Sequence, residues 1–329
     1  MTVHQTSGRQ ASGRQATGRQ ATVHETSGRR TTVRRAAGRQ ASGRRVPGRQ
    51  ASARRPPGRR VSGLAANVAL LAILAASVFP LYWSVVVASG DNAAIARRTP
   101  PLLPGGHLVD NVRRVFEAVD FRLALQNSAI VATVVTVSNV VLATMAGFAF
   151  ARLRFRGRNG LFLVVIGSTM VPAQLGVIPL FMLVGAFGWY DRLAAVIVPG
   201  LLSAFSVFWM RQACLEAVPA ELVDAARVDG CSLPRVYWHV AVPALRSHAV
   251  VLAMLTFMAS WNDFFWPLVV LDPNQTPTVQ VALSRLAGGY YTDYPLVLTG
   301  ALLGMLPVVV LFALLARRIV AGIMPGGRS

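Results

Sequence analysis

Few side chains here could do covalent chemistry, and their spacing excludes most of it. The 33 basic residues are all arginine. Without lysine no GxxxxGK[ST] phosphate loop exists, so hydrolysis of ATP by that loop is excluded. Cys214 and Cys231 belong to no CxxC pair or Cys/His cluster, so neither a disulfide framework nor a metal site is expected. No carboxylate pair and no Ser/His/Asp set stands out, and His239 and His248 read as structural. The expectation is therefore no catalytic residue, no metal and no cofactor.

What remains is polar chemistry in apolar surroundings. Asp263, beside Asn262, is the only acid inside an apolar run. An ionisable group at membrane depth is expensive and by default functional. The pair could bond solute hydroxyls on a translocation pathway. The competing reading is an acid snorkelling at the outer interface, beside a Trp261/Trp266 belt. Pro172 and Pro179 each remove a backbone donor from another apolar run, so that helix should kink or break. Both a pathway lining and a packing kink fit.

These residues sit in a chain built for lipid. Of 329 residues, 53% are hydrophobic and 14% charged, where a soluble domain carries roughly a quarter charged. Mean hydropathy is +0.49. A soluble globular domain, a disordered protein and a fibre are excluded. Apolar stretches fall at 64–88, 123–151, 159–190, 193–210, 247–271 and 294–316. Each meets the roughly 20-residue requirement for a membrane helix, 193–210 only just. The expected fold is an all-α polytopic membrane protein with six transmembrane helices.

Arginine sets the expected sidedness. Residues 1–60 hold 15 arginines and one acid, Glu25, in units such as Ser7-Gly8-Arg9-Gln10. Residues 1–62 lack core-forming residues and are expected to be a disordered basic tail. The tail could bind anionic lipid or nucleic acid through its charge, or be only a solvated extension. With no aromatic among its arginines, it offers no base-stacking platform. Six spans put both termini on one side. If that side is the cytoplasm, the inner segments hold 26 arginines and the outer ones 7, with 152–158 the densest short loop. The positive-inside rule then favours a multi-pass protein of the cell membrane with cytoplasmic termini.

The connection between the fourth and fifth spans, 211–246, is different in kind. Pro219 suits the start of a helix, Glu221 favours its positive end, and Gly230 can stop it. Leu233-Pro234 should start a second short helix, and Pro243 should break the chain before span five. Ala225 and Ala226 are small enough for close approach to a partner groove, and Asp224, Arg227 and Asp229 could orient that contact by charge. An ordinary interfacial loop is the plainer alternative.

Asp224-Ala225-Ala226, three residues, Gly230, nine residues, then Val240-Ala241-Val242-Pro243 resembles the EAA motif of ABC importer permeases. The spacing matches throughout, with Asp for the first Glu and Val for Ile and Leu. Asn127-Ser128, the run Ala149-Phe150-Ala151-Arg152 with Phe155-Arg156-Gly157-Arg158, and Trp261-Asn262-Asp263-Phe264 before Trp266-Pro267-Leu268 resemble the carbohydrate branch of that family. The likeness covers roughly 64–321. The end of the chain departs, with Ile323-Met324-Pro325-Gly326-Gly327 in place of a Lys-containing ending.

The resemblance implies a permease subunit of an ATP-driven importer for a sugar or sugar derivative, forming half of the pore. It implies a second, different permease chain, cytoplasmic ATP-binding subunits, an extracytoplasmic solute-binding protein and membrane lipid as partners; nucleic acid is not an expected one. The segment carrying Glu221, Asp224, Ala225, Ala226, Asp229, Gly230 and Pro243 would be the cytoplasmic coupling helix that seats in the ATPase. The corresponding domains are the tail 1–62, the first helix and external loop 63–126, the importer transmembrane domain 127–321 and a short tail 322–329. Two other classes compete. A secondary transporter usually carries inverted repeats and buried coupling acids, and no repeat is visible here. A membrane-anchored nucleic-acid binder would act through the arginine tail.

Overall fold

A computed structural model describes residues 63–95, 101–288 and 292–323. The arginine-rich tail and the departing C-terminus read above lie outside the described residues. Among the described residues every regular element is helical. In chain order the helices are α1 Gly63–Ala88, α2 Asn92–Ile95, α3 Leu108–Ala118, α4 Phe121–Arg152, α5 Arg158–Ser168, α6 Val177–Ala186, α7 Ala194–Gly200, α8 Ala204–Ala217, α9 Ala220–Val228, α10 Leu233–Val236, α11 Val242–Trp261, α12 Phe265–Val270, α13 Val279–Leu286 and α14 Tyr294–Ile323. Five helical runs are long and apolar enough to cross a membrane, and the α5/α6 pair, bent by 93°, makes a sixth if it is counted as one span.

α4 is the central post. The Asp120 carboxylate accepts from the Leu123 amide at 3.0 Å and starts it, satisfying a donor that has no partner within the helix. Both α8 and α11 pack along it. Small residues make this possible: Ala124, Ser128, Ala132, Ala143 and Gly147 all turn inward. A Cβ on Gly147 would lie 2.7 Å from the Arg211 amide nitrogen, so backbone meets backbone there. Close approach through small residues is how helices associate in lipid, where apolar surface gains little by leaving the tails.

Three spans depart from their expected form. In the third, Pro172 does break the helix, at the 3₁₀ turn Ala173–Gly176. Pro179 does not. It is the third residue of α6, in a first turn where amides have no intrahelical acceptor to lose. The fourth span divides into α7 and α8 and runs on to Ala217. The fifth runs from Leu233 to Trp261, not from 247 to 271. Leu233-Pro234 therefore opens the span itself rather than a separate helix. Pro243 does not break it either: a π-helical turn, Tyr237–Ala241, precedes Pro243 and keeps the helix continuous. A widened turn is one way a helix accommodates a residue without an amide hydrogen.

Candidate coupling surface and solute cavity

α9 begins after Pro219, carries Glu221 in its first turn and Arg227 in its last, both favourable to the helix dipole. Its end is built by hydrogen bonds. Gly230 has φ +80°, its amide donates to the Arg227 carbonyl at 3.1 Å, and the Cys231 amide donates to the Ala226 carbonyl at 2.9 Å. Those two bonds around a left-handed residue define the Schellman stop. Gly230 stops the helix as its place in the sequence suggests, and it does so at positive φ.

Neighbouring residues on α9 face three ways. Val223 is 4% exposed and joins the core formed by Phe148, Met210, Cys214, Val236 and Tyr237, with Ala226 packed beside it. The small size of Ala226 thus serves approach to the chain's own core. Leu222, Ala225 and Val228 point outward, with Val228 88% exposed. Ala220, Val223, Asp224 and Arg227 border a cleft against the loop 152–158. Glu221, Asp229 and Pro243 are also exposed. One helix therefore has an anchored face, an exposed apolar face and a charged flank.

The second feature is a cavity of about 750 Å³ between α4, α7, α8 and α11. Its wall is largely apolar, with Asn139, Ser203, Ser206, Thr256, Ser260 and Asp263 as its polar groups. Asn139 is 2% exposed. Its Nδ2 reaches the Gly200 carbonyl at 3.5 Å, while its Oδ1 is buried without a partner. An orphaned acceptor in an apolar wall favours a ligand with hydroxyl donors.

Of the residues singled out for a pathway, Asp263 lines this cavity and Asn262 does not. Asn262 is exposed, and its Nδ2 donates to the Met258 carbonyl at 2.8 Å. Asp263 lies beyond the end of α11 rather than within a helix, and its carboxylate accepts from the Phe265 and Trp266 amides. Pro172 sits next to Ala173 at the cavity edge, and Pro179 lies away from it. Trp261 forms no interfacial belt: it is 2% exposed, and its Nε1 donates to the Gly304 carbonyl at 3.0 Å. Sequence reasoning missed Asn139, Ser203, Ser206, Thr256 and Ser260. The available signals were a lone amide in an apolar run and hydroxyls spaced three and four residues apart on helices. Among the described residues no group of three or more His, Cys, Asp or Glu could hold a metal ion.

Residues 139–324 match the model of the binding-protein-dependent transport system inner membrane component. The lactose transport system permease protein LacG of Rhizobium radiobacter is 35% identical over 248 residues, covering 75% of this chain and 90% of that protein. The arabinooligosaccharides transport system permease protein AraQ of Halalkalibacterium halodurans is 32% identical, with 80% and 95% covered. The sn-glycerol-3-phosphate transport system permease protein UgpE of Pectobacterium atrosepticum is 29% identical, with 79% and 95% covered. Among solved structures, a bacterial ABC transporter involved in the import of alginate shares the fold, with TM-score 0.69, 20% identity, and 78% and 96% of the two chains covered.

Proposed function

The chain belongs to the binding-protein-dependent transport system inner membrane component family, and from that premise we propose that it is a sugar-carrying permease subunit that couples to a separate ATPase through α9. It forms half of a pore with a second, different permease chain. A solute-binding protein delivers sugar from outside, and cytoplasmic ATP-binding subunits close beneath it. Both termini, the loop 152–158 and α9 lie on the cytoplasmic side, as the arginine distribution favours.

One observation carries the coupling role. α9 is anchored in the α4/α8/α11 core by Val223 with Ala226 beside it, and its end is fixed by the Schellman stop, yet it leaves Leu222, Ala225 and Val228 uncovered. A helix that is anchored to the bundle and apolar on its free side can transmit a push from a partner. The resemblance of Asp224-Ala225-Ala226 and Gly230 to the EAA motif supports the identity of that partner. The cavity edged by Asn139, Thr256, Ser260 and Asp263 is this chain's share of the pathway. Hydroxyl-bearing relatives of lactose and arabinooligosaccharides suit its mixed wall.

The test is uptake by proteoliposomes holding both permease chains and the ATPase. Accumulation of labelled disaccharide should require internal ATP and the binding protein. Uptake driven by an ion gradient in the absence of ATP would move the chain to the secondary transporters.

A further inference from the structure

The cleft beside α9 is strongly cationic and its charges are unmatched. It has a volume of about 620 Å³ and is bordered by Arg152, Arg154, Arg158 and Arg227, with Asp224 the one carboxylate. Among the described residues none of these four arginines forms an ion pair, whereas Arg113 and Arg114 at the opposite end of α4 pair with Asp110, Glu117 and Asp293. Arg152 directs Nη2 to the Cys214 and Leu215 carbonyls at 3.3 and 2.9 Å, capping the end of α8. Its Nε is buried with no partner. Arg158 uses Nη1 on the Leu153 carbonyl at 3.2 Å. Arg154 and Arg227 direct no hydrogen bond to any described residue. A second hollow of about 470 Å³ adjoins it, sharing Arg154, Phe155 and Arg158.

The position of the cleft selects its ligand. The loop 153–157 joins the end of one membrane helix, Arg152, to the start of the next, Arg158, which places it at headgroup depth. Phe150, Phe155 and Phe162 cluster beside it, and the Arg211 guanidinium lies 4.0 Å from the Phe162 ring centre. The cleft's own apolar lining, Leu153, Phe155 and Leu233 beside four arginines, matches an acyl chain next to a phosphate. One water occupies roughly 30 Å³, so the gap admits a whole headgroup. Guanidinium forks bind phosphate oxygens bidentately, and basic pockets between membrane helices take anionic headgroups.

We propose that this cleft is a binding site for the phosphodiester headgroup of an anionic phospholipid, held by Arg152, Arg154, Arg158 and Arg227. The site borders the charged flank of α9 and leaves the exposed Leu222, Ala225 and Val228 face free. A bound lipid therefore fixes the loop 152–158 against α9 without occupying the ATPase-facing surface. The site rests on the membrane placement above but not on the docking role of α9.

The experiment is native mass spectrometry of the detergent-purified, delipidated permease complex, titrated with phosphatidylglycerol or phosphatidylcholine. Phosphatidylglycerol should remain bound at concentrations roughly tenfold lower than phosphatidylcholine, given the typical contribution of basic residues at an anionic headgroup. The double variant Arg154→Gln/Arg227→Gln, which removes no internal bond, should lose that preference. Arg154→Gln alone should lose part of it, and Arg113→Gln should keep it. Equal retention of the two lipids by the wild type, or an unchanged preference in the double variant, overturns the site. Inorganic phosphate at about 10 mM, in large excess over lipid, tests the other source of the same chemistry. Displacement of phosphatidylglycerol by phosphate makes this a soluble-anion site and overturns the lipid assignment, whereas retention supports it. The readout needs no ATPase, so its failure is separable from a failure of coupling.

Discussion

Replacing Gly230 separates the backbone of the α9 stop from its surface. The residue holds φ +80°, and an added Cβ would meet nothing within 4 Å. The whole cost of Gly230→Ala is therefore conformational, about 1–2 kcal/mol for a left-handed L-residue. That is a factor of roughly 5–30 in the population of the closed stop. Gly230→Asn should cost less, because asparagine visits this region more readily. Gly230→Asp keeps the size and much of that tolerance of asparagine but adds a charge beside Asp229. Hydrogen exchange reads the first effect directly. The Cys231 amide, bonded to the Ala226 carbonyl, should exchange roughly 5–30 times faster in the alanine variant. Asparagine should fall between alanine and glycine, and the thermal midpoint of the bundle should barely move. Co-purification of the ATPase reads the second effect. Gly230→Asp should lose ATPase that Gly230→Asn retains. Unchanged exchange in the alanine variant would refute the role of positive φ, and equal ATPase retention by Asn and Asp would refute the charge-sensitive surface.

Gly147→Ala should lower the stability of the whole bundle by about 1–3 kcal/mol. Its Cβ would press on the Arg211 and Met210 backbone at 2.7 Å; Gly160→Ala, with nothing within 4 Å, is the control in a thermal-shift series. Single cysteines at Arg227 and His107, both exposed, in a background lacking Cys214 and Cys231, should label in opposite ways from outside. His107→Cys should react and Arg227→Cys should be protected, and the reverse pattern contradicts the topology. Thr256→Val and Ser260→Ala in the cavity wall should each raise the half-saturating sugar concentration up to about tenfold through a lost hydrogen bond. ATPase co-purification should stay unchanged, and an effect confined to assembly would remove the cavity from the pathway.

Composition and hydropathy made the membrane class and five of the six expected spans legible, the sixth being the bent α5/α6 pair, because a bilayer leaves the backbone few alternatives. The limits of span five were not legible. Residues 233–246 are only moderately polar, and a π turn before Pro243 preserves a helix that local rules would end. Pro172 and Pro179 look alike in sequence, but their positions in the helix differ: one precedes a turn, the other sits in a first turn. On α9, the spacing located the helix and the Gly230 stop. Which of the adjacent Asp224, Ala225 and Ala226 faces cleft, exterior or core depends on where Val223 is anchored, a tertiary fact. Asn139 and its hydroxyl neighbours come from three separate helices, α4, α8 and α11, and only packing brings them to one cavity.

The most direct test of coupling through α9 is a cross-link from its exposed face. Val228→Cys, in a chain lacking Cys214 and Cys231, would be treated with a short bifunctional thiol reagent in the assembled importer, against single cysteines placed across the ATPase surface. A specific cross-link from Val228→Cys to the ATPase is expected, its yield changing when ATP is added, and none from His107→Cys. An importer that transports normally while Val228→Cys cross-links to no ATPase position, with or without ATP, would contradict it.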